Sequence, residues 1–179
     1  MRIFIFIILL IMAPAIAGIY GFIHDQITFS ISEEFFTKVR FNEFDLPKNW
    51  SPTIKAGIIG IITAAKTGIP LGIVLTAVGK IHKKDSDLLN YTLYAYLITM
   101  FTAFACTLLA IYLPQTPERL MEAVTLPMNI NDPIAFQRVV TINNFGYAGG
   151  VIGMLMGISL HIFYYKKNLK KEIPGTPKA

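Results

Sequence analysis

Lys66 has the most unusual chemical setting in the chain, because it lies midway along an apolar stretch, residues 54–78. A lysine near the centre of a bilayer costs roughly 2.5–3.5 kcal/mol. On a helix Thr63 and Pro70 share its face, and Pro70 removes the amide that would otherwise bond to the Lys66 carbonyl. With Thr99 of the next apolar stretch, these residues predict an intramembrane polar pocket. It would serve either an ion, proton or substrate pathway or a purely structural hydrogen-bonded site.

A second candidate group follows the first apolar stretch, where His24, Asp25 and Gln26 are consecutive. An imidazole beside a carboxylate suits a metal ligand or an acid–base pair. Glu33 and Glu34 come next, at a distance that folding could close. Metal sites normally have more ligands at closer spacing, so capping and pinning of the loop is the structural alternative for these five residues.

The rest of the chain offers little further chemistry. Cys106 is the single cysteine, which excludes an internal disulfide and a cluster of cysteine metal ligands. His82 and His161 fall on the opposite side of the membrane from His24, which excludes a transmembrane bis-histidine haem pair. No phosphate-binding loop, HExxH or GxSxG motif occurs. We therefore assign no catalytic residue and predict no cofactor and no metal.

Composition indicates the elements that must position these residues. The chain has 179 residues, of which 54% are hydrophobic and only 15% are charged, whereas about a quarter of an ordinary soluble domain is charged. A membrane span needs about 20 mostly apolar residues, and lipid favours helices for them. The sequence predicts one all-α membrane domain, an integral four-helix bundle with short structured periplasmic loops. Its spans are 3–23, 54–78, 88–113 and 145–165, its outer loops 24–53 and 114–144, its inner loop 79–87 and its tail 166–179.

The basic residues predict the orientation. Nine lie near the N-terminus, in the loop 79–87 and in the tail, whereas the two much longer outer loops carry five between them. Lysine and arginine concentrate on the cytoplasmic side, so both termini are expected in the cytoplasm of a bacterial inner membrane. The tail lysines are expected to contact anionic lipid headgroups: Lys166, Lys167, Lys170 and Lys171. The net charge of +5 is thus a topology signal and does not indicate nucleic-acid binding.

The first span has two interpretations. Arg2, the apolar run that follows and the small residues 13–17 resemble a signal peptide with an A-x-A cleavage site. The apolar run, however, continues past Ala17 to Ile23, which is long enough to span. We favour retention, and cleavage would leave three spans.

Local patterns predict structure in the outer loops. Apolar and polar residues alternate from Ile27 to Ser32, which favours a strand. Ser32 then precedes Glu33 as a helix N-cap. In the second loop we expect a short helix over 117–124 and another that begins at Asp132 and Pro133.

Small residues predict how the helices pack, because membrane helices associate through close contact of small side chains. Two spans carry such residues at intervals of three or four. They are Gly60, Ala64, Gly68 and Gly72 in the second span, and Gly146, Gly150, Gly153 and Gly157 in the fourth. We expect both stripes in tight interfaces, against each other or across a homodimer. Lys66 points about 160° away from Gly68 around the helix.

The run from Tyr20 to Lys38, YGFIHDQITFSISEEFFTK, resembles the first outer loop of a family of bacterial multi-span membrane proteins. The segment Asn144–Gly150, NFGYAGG, is similar to theirs as well. The resemblance implies a topology and a bacterial membrane location, and it implies no reaction.

Three functions remain open. The first is a non-enzymatic binding or accessory subunit with a periplasmic cap, which needs a protein partner or a second copy. The second is a small oligomeric transporter or channel that uses Lys66. The third is a membrane enzyme or metal binder that uses His24 and Asp25.

Overall fold

The computed structural model describes residues 2–113 and 129–172. In chain order its helices are α1 (Arg2–Ile31), α2 (Glu33–Lys38), a short 3₁₀ turn (Arg40–Asn42), α3 (Pro52–Gly79), α4 (Asp85–Tyr112) and α5 (Pro133–Glu172). The described ranges contain helices and no strand, so the predicted all-α class is confirmed. The helix predicted over 117–124 lies outside the described residues.

Four of the described helices, α1, α3, α4 and α5, are long and apolar enough to cross a membrane. α3 and α4 have 28 residues each, and at about 1.5 Å per residue such a helix exceeds the roughly 30 Å of a bilayer's hydrocarbon core. All four predicted spans are therefore found, and the chain folds as a multi-pass membrane protein. Every helix begins before its predicted span, and all but α4 also end after it; α5 extends furthest.

The strand predicted over residues 27–32 is wrong, because α1 continues as a helix through Ile31. The hydroxyl of Thr28 donates to the carbonyl oxygen of His24 at 3.1 Å, and that of Ser30 donates to Ile27 at 2.7 Å. A hydroxyl that bonds to its own helix leaves the helical ladder intact, so the alternation of polar and apolar residues did not require a strand. Ser32 then caps α2 as predicted, since its Oγ accepts from the amide of Phe35.

The bundle consists of two tightly packed helix pairs, α1 with α3 and α4 with α5. The small residues of α3 pack against a matching row in α1, where Gly21 faces Gly60, Ala17 faces Gly68 and Ala13 faces Gly72. Those of α5 pack against α4, with Gly153 against Thr99 and Gly157 against Ala95. Most residues of both stripes therefore lie in tight interfaces, as predicted, but Gly150 does not, and the two stripes do not pack against each other. Each stripe instead packs against small residues of its neighbouring helix, α1 or α4, which carries them at the same spacing.

The two ends of the bundle differ. The tail end holds Arg2, the loop 80–84 and the end of α5, while the cap end holds α2, the 3₁₀ turn and residues 129–132. The two pairs meet in a core nearer the tail end, around Leu9, Ala13, Leu75, Leu88, Ala95 and Tyr96. Leu9 and Ala13 belong to the part of α1 that the signal-peptide interpretation would remove. At this core the Tyr96 hydroxyl bonds to Thr76 and donates to the carbonyl oxygen of Leu9 at 3.2 Å, which joins α1, α3 and α4.

Candidate ligand cavity

A cavity of about 340 Å³ lies between the two helix pairs, on the cap side of the core. All four long helices line it, and the α2–3₁₀ segment (residues 33–43), which we call the cap, covers it through Phe35, Val39, Arg40 and Glu43. Small residues leave this space open. A Cβ added at Gly150 would meet only Leu71, at 3.7 Å, so this position faces the cavity. The volume falls within the range of about 300–1,000 Å³ typical of small-molecule sites.

The polar lining of the cavity is concentrated toward the cap. Apart from its tyrosines, its ionisable members are His24, Asp25, Arg40 and Glu43, and neighbouring polar side chains include Thr63 and Asn143. Toward the core the lining becomes apolar, with Ala13, Ile16, Leu71, Leu75 and Met100, and Tyr96 lies at that end. The cavity is therefore amphipathic along its length.

His24 and Asp25 form a buried pair at the polar end. The Nδ1 of His24 lies 2.9 Å from a carboxylate oxygen of Asp25, and only 6% of His24 is exposed. Its other ring nitrogen, Nε2, is buried and has no hydrogen-bond partner among the described residues. Tyr20, one helical turn earlier, packs its ring 5.4 Å from the imidazole and bonds through its hydroxyl to Thr107 of α4 at 3.0 Å.

One edge of the cap is tied to the start of α5. The Glu34 carboxylate accepts hydrogen bonds from the backbone amides of Asn131, at 3.0 Å, and of Asp132, at 2.9 Å. These amides hold the pKa of Glu34 below its ordinary value of 4.5. Phe35 packs edge-on against Phe136 of α5, with ring centres 5.3 Å apart. Asp132 also caps α5 as predicted, accepting from the amide of Ala135 at 2.9 Å.

The other edge of the cap is tied to α3 by Arg40. Its guanidinium donates to the hydroxyl of Thr63 at 2.7 Å and pairs with Glu43 at 2.6 Å. The cap thus reaches from α5 to α3, which are neighbours in different helix pairs, and closes the gap between them.

These contacts fix the geometry of the site. Comparison with protein-family models, curated proteins and solved structures finds no match. Within the described ranges no group of three or more His, Cys, Asp or Glu side chains is arranged to hold a metal ion.

The predicted pocket around Lys66 is wrong for two of its four members. Thr63 and Thr99 line the cavity, but Lys66 and Pro70 do not; both are exposed on the outer side of α3. The small face of α3 packs against α1, so a side chain on the opposite face has to point outward. The ammonium of Lys66 lies 5.6 Å from the centre of the Phe44 ring, and the Arg40 guanidinium lies 5.5 Å from the same ring. Lys66 therefore contacts the segment that follows the cap.

The five candidates of the first outer loop separate into four groups. His24 and Asp25 come together at the cavity. Gln26 instead donates to the carbonyl oxygen of Thr53 at 2.9 Å, which ties α1 to the start of α3. Glu33 is exposed in the first turn of α2, and Glu34 binds the start of α5. The carboxylate that meets His24 is thus its neighbour in sequence rather than either glutamate.

Sequence reasoning missed Arg40, Glu43 and a histidine pair at the tail end. His82 and His161, 79 positions apart, place Nε2 and Nδ1 3.1 Å from each other, and both are buried. Arg2 donates to the carbonyl oxygen of His82. Burial lowers the pKa of His82 from its ordinary value of 6.5, while the Asp87 carboxylate opposes this shift and Arg2 adds to it. The available signal was that both histidines fall on one side of the predicted membrane.

Proposed function

We propose that this protein is a non-enzymatic binding protein of the bacterial inner membrane, which holds a small, neutral, mostly apolar molecule in the cavity beneath its cap. The observation that carries the proposal is the cavity itself, about 340 Å³ between two helix pairs, polar near the cap and apolar near the core. Ligand sites are commonly concave and mostly apolar, with a few convergent polar groups that orient the ligand.

The charges around the cavity favour a neutral ligand. Arg40 is paired with Glu43 at 2.6 Å, and His24 with Asp25 at 2.9 Å. The Arg40–Glu43 pair is neutral as a whole, and the Asp25 carboxylate is already hydrogen-bonded to the His24 ring. A charged ligand would enter an apolar space without a free partner, which is costly.

The orientation follows from the basic residues. Lys166 and Lys167 are exposed at the tail end, and the loop 80–84 adds further lysines there, which supports a cytoplasmic tail end and a periplasmic cap. Lys166, Lys167 and Lys170 would then lie at anionic headgroups of the inner leaflet, while the side chain of Lys171 lies outside the part of the chain that the structure describes.

A transport route through Lys66 has less support, because Lys66 lies outside the cavity. Its contact with Phe44 favours a role in holding the segment after the cap against α3.

The test is retention of a small molecule through purification from native membranes, followed by native mass spectrometry. Wild-type protein is expected to carry an additional bound mass that is released on unfolding. Gly150→Leu, which fills open space in the cavity, is expected to lose it. Val151→Leu is the matched control, because Val151 lies next in sequence and is 50% exposed on the outer face, so this variant keeps the mass. Equal retention by all three proteins, or none by wild type, would overturn the proposal.

A further inference from the structure

We infer that the molecule held in the cavity carries a hydroxyl group, which donates a hydrogen bond to Nε2 of His24. The inference rests on the proposed function and adds the ligand class, a neutral apolar alcohol or phenol.

The two ring nitrogens of His24 have different hydrogen-bonding roles. An ionised carboxylate can only accept hydrogen bonds, and a neutral imidazole has one donor nitrogen and one acceptor nitrogen. Because Asp25 lies 2.9 Å from Nδ1, Nδ1 carries the proton and donates to it. Nε2 is then the acceptor, and it has no protein partner among the described residues. Because buried polar atoms nearly always have a hydrogen-bond partner, we expect Nε2 to accept a hydrogen bond from a donor outside the protein chain.

Nε2 of His24 lies beside the cavity together with the hydroxyl of Tyr20, because Tyr20, His24 and Gly146 all line it. A Cβ added at Gly146 would lie 3.5 Å from Nε2 and 2.6 Å from the hydroxyl oxygen of Tyr20. The missing side chain of Gly146 therefore lets both polar groups lie close to α5 and close to each other. A ligand hydroxyl in the cavity that reaches both groups donates to Nε2 and accepts from Tyr20, with Thr107 as the donor in the bond it shares with Tyr20 at 3.0 Å.

The same groups disfavour other classes of ligand. A cation would need an unpaired carboxylate, and an anion would lie close to Asp25. A ketone or ether has no proton to give to Nε2. A hydroxyl on an apolar body satisfies both the polar end and the apolar length of the cavity.

The experiment uses two probes, 1-naphthol and 1-methoxynaphthalene, in which a methyl group replaces the hydroxyl proton. Binding to full-length protein in lipid nanodiscs is measured by equilibrium dialysis against empty nanodiscs. Wild type is expected to bind 1-naphthol more tightly by on the order of tenfold, the effect of one buried hydrogen bond. His24→Phe should remove this preference. His24→Gln, which keeps an acceptor oxygen, should retain part of it, and Ile23→Phe, at an exposed neighbouring position, should keep all of it.

The outcomes separate this inference from the proposed function. If wild type binds both probes equally and Gly150→Leu abolishes both, the hydroxyl assignment fails while the cavity remains a binding site. If neither probe binds above empty nanodiscs, the assignment also fails, and native mass spectrometry alone bears on the proposed function. An unchanged preference for 1-naphthol in both His24 variants would also overturn the hydroxyl assignment.

Discussion

The guanidinium of Arg40 donates to the hydroxyl of Thr63 across 2.7 Å, which joins the cap to α3. Thr63 in turn donates to the carbonyl oxygen of Ile59 at 2.6 Å, so its oxygen is free to accept from Arg40. The bond lies at the rim of the cavity, which both residues line. This contact therefore helps to hold the cap closed over the cavity.

Arg40→Met should loosen the cap while the helix pairs stay packed. The methionine keeps apolar bulk but cannot donate to Thr63 or pair with Glu43. Hydrogen–deuterium exchange is expected to accelerate over residues 33–44 and to stay unchanged in the interior of α4. Lys48→Met, at an exposed position of the following loop, is the control. Equal protection of the cap in wild type and Arg40→Met would show that Arg40 does not hold it.

Glu34→Gln should make the thermal stability of the protein less dependent on pH in the acidic range. The pKa of Glu34 is lower in the folded protein than its ordinary value of 4.5, so its carboxylate stabilises the fold at pH values above about 4.5. That contribution is lost as pH falls through the lower, folded-state pKa. The difference in Tm between wild type and Glu34→Gln is therefore expected to be larger at pH 7 than at pH 3.

Glu33→Gln is the matched control for this measurement, because Glu33 is the exposed neighbour in the same helical turn. It should change Tm less than Glu34→Gln at pH 7. A Glu34→Gln difference as large at pH 3 as at pH 7 would mean that the ionised carboxylate is not the stabilising species.

The four spans and the two helix caps could be predicted, because each depends on a local pattern. Twenty apolar residues in a row indicate a span wherever they occur, and Ser32 and Asp132 satisfy amides three residues later in their own helices. The end of α1 could not be placed in the same way. Six residues of alternating polarity fit a strand, and only the bonds from Thr28 and Ser30 back to their own helix make the helical form complete.

The cavity could not be predicted, since it depends on how far apart two helix pairs stand. In the sequence Gly149, Gly150 and Gly153 look equivalent. In the bundle Gly149 and Gly153 are pressed against α4, while Gly150 faces open space. The pairing of Arg40 with Glu43 had a sequence signal, a basic and an acidic residue three positions apart, but nothing in that spacing indicates Thr63 as a third partner.

Alanine substitution should destabilise the protein at Gly153 but not at Gly150. A Cβ at Gly153 would lie 2.6 Å from the Cα of Thr99, whereas at Gly150 the nearest atom is 3.7 Å away. Overpacking typically costs about 1–3 kcal/mol, so Gly153→Ala should lower the free energy of unfolding by an amount in that range. Gly150→Ala should be neutral or stabilising by up to about 1 kcal/mol, the helix preference of alanine. Denaturation in mixed micelles measures both, and equal losses would contradict the α4–α5 packing.

His82→Gln should make the Tm of the protein depend less on pH between pH 5.5 and 7.5. The pKa of His82 lies below 6.5 in the folded protein, mainly through burial, so the unfolded chain binds the additional proton first as pH falls. Stability is then full above about pH 6.5 and decreases as pH falls toward the folded-state pKa. The wild-type Tm should therefore drop across this range, and the Tm of His82→Gln should drop less.

Two further variants check the origin of that effect. Asp87→Asn removes the carboxylate that opposes the shift, so it should steepen the wild-type profile. Lys84→Gln, at an exposed position of the same loop, should leave the slope unchanged. A slope that is the same in wild type and His82→Gln would assign the pH dependence to other groups.

Lys66→Met should leave ligand retention intact while weakening the segment after the cap. Lys66 does not line the cavity, and its ammonium lies 5.6 Å from the Phe44 ring, a contact worth about 0.5–1 kcal/mol at an exposed site. Native mass spectrometry should therefore find the same bound mass as in wild type, whereas hydrogen–deuterium exchange at residues 43–46 should rise. Lys66→Arg keeps the cation and should restore protection. If Lys66→Met instead lost the bound molecule as completely as Gly150→Leu, Lys66 would belong to the binding route and a transport pathway through it would regain support.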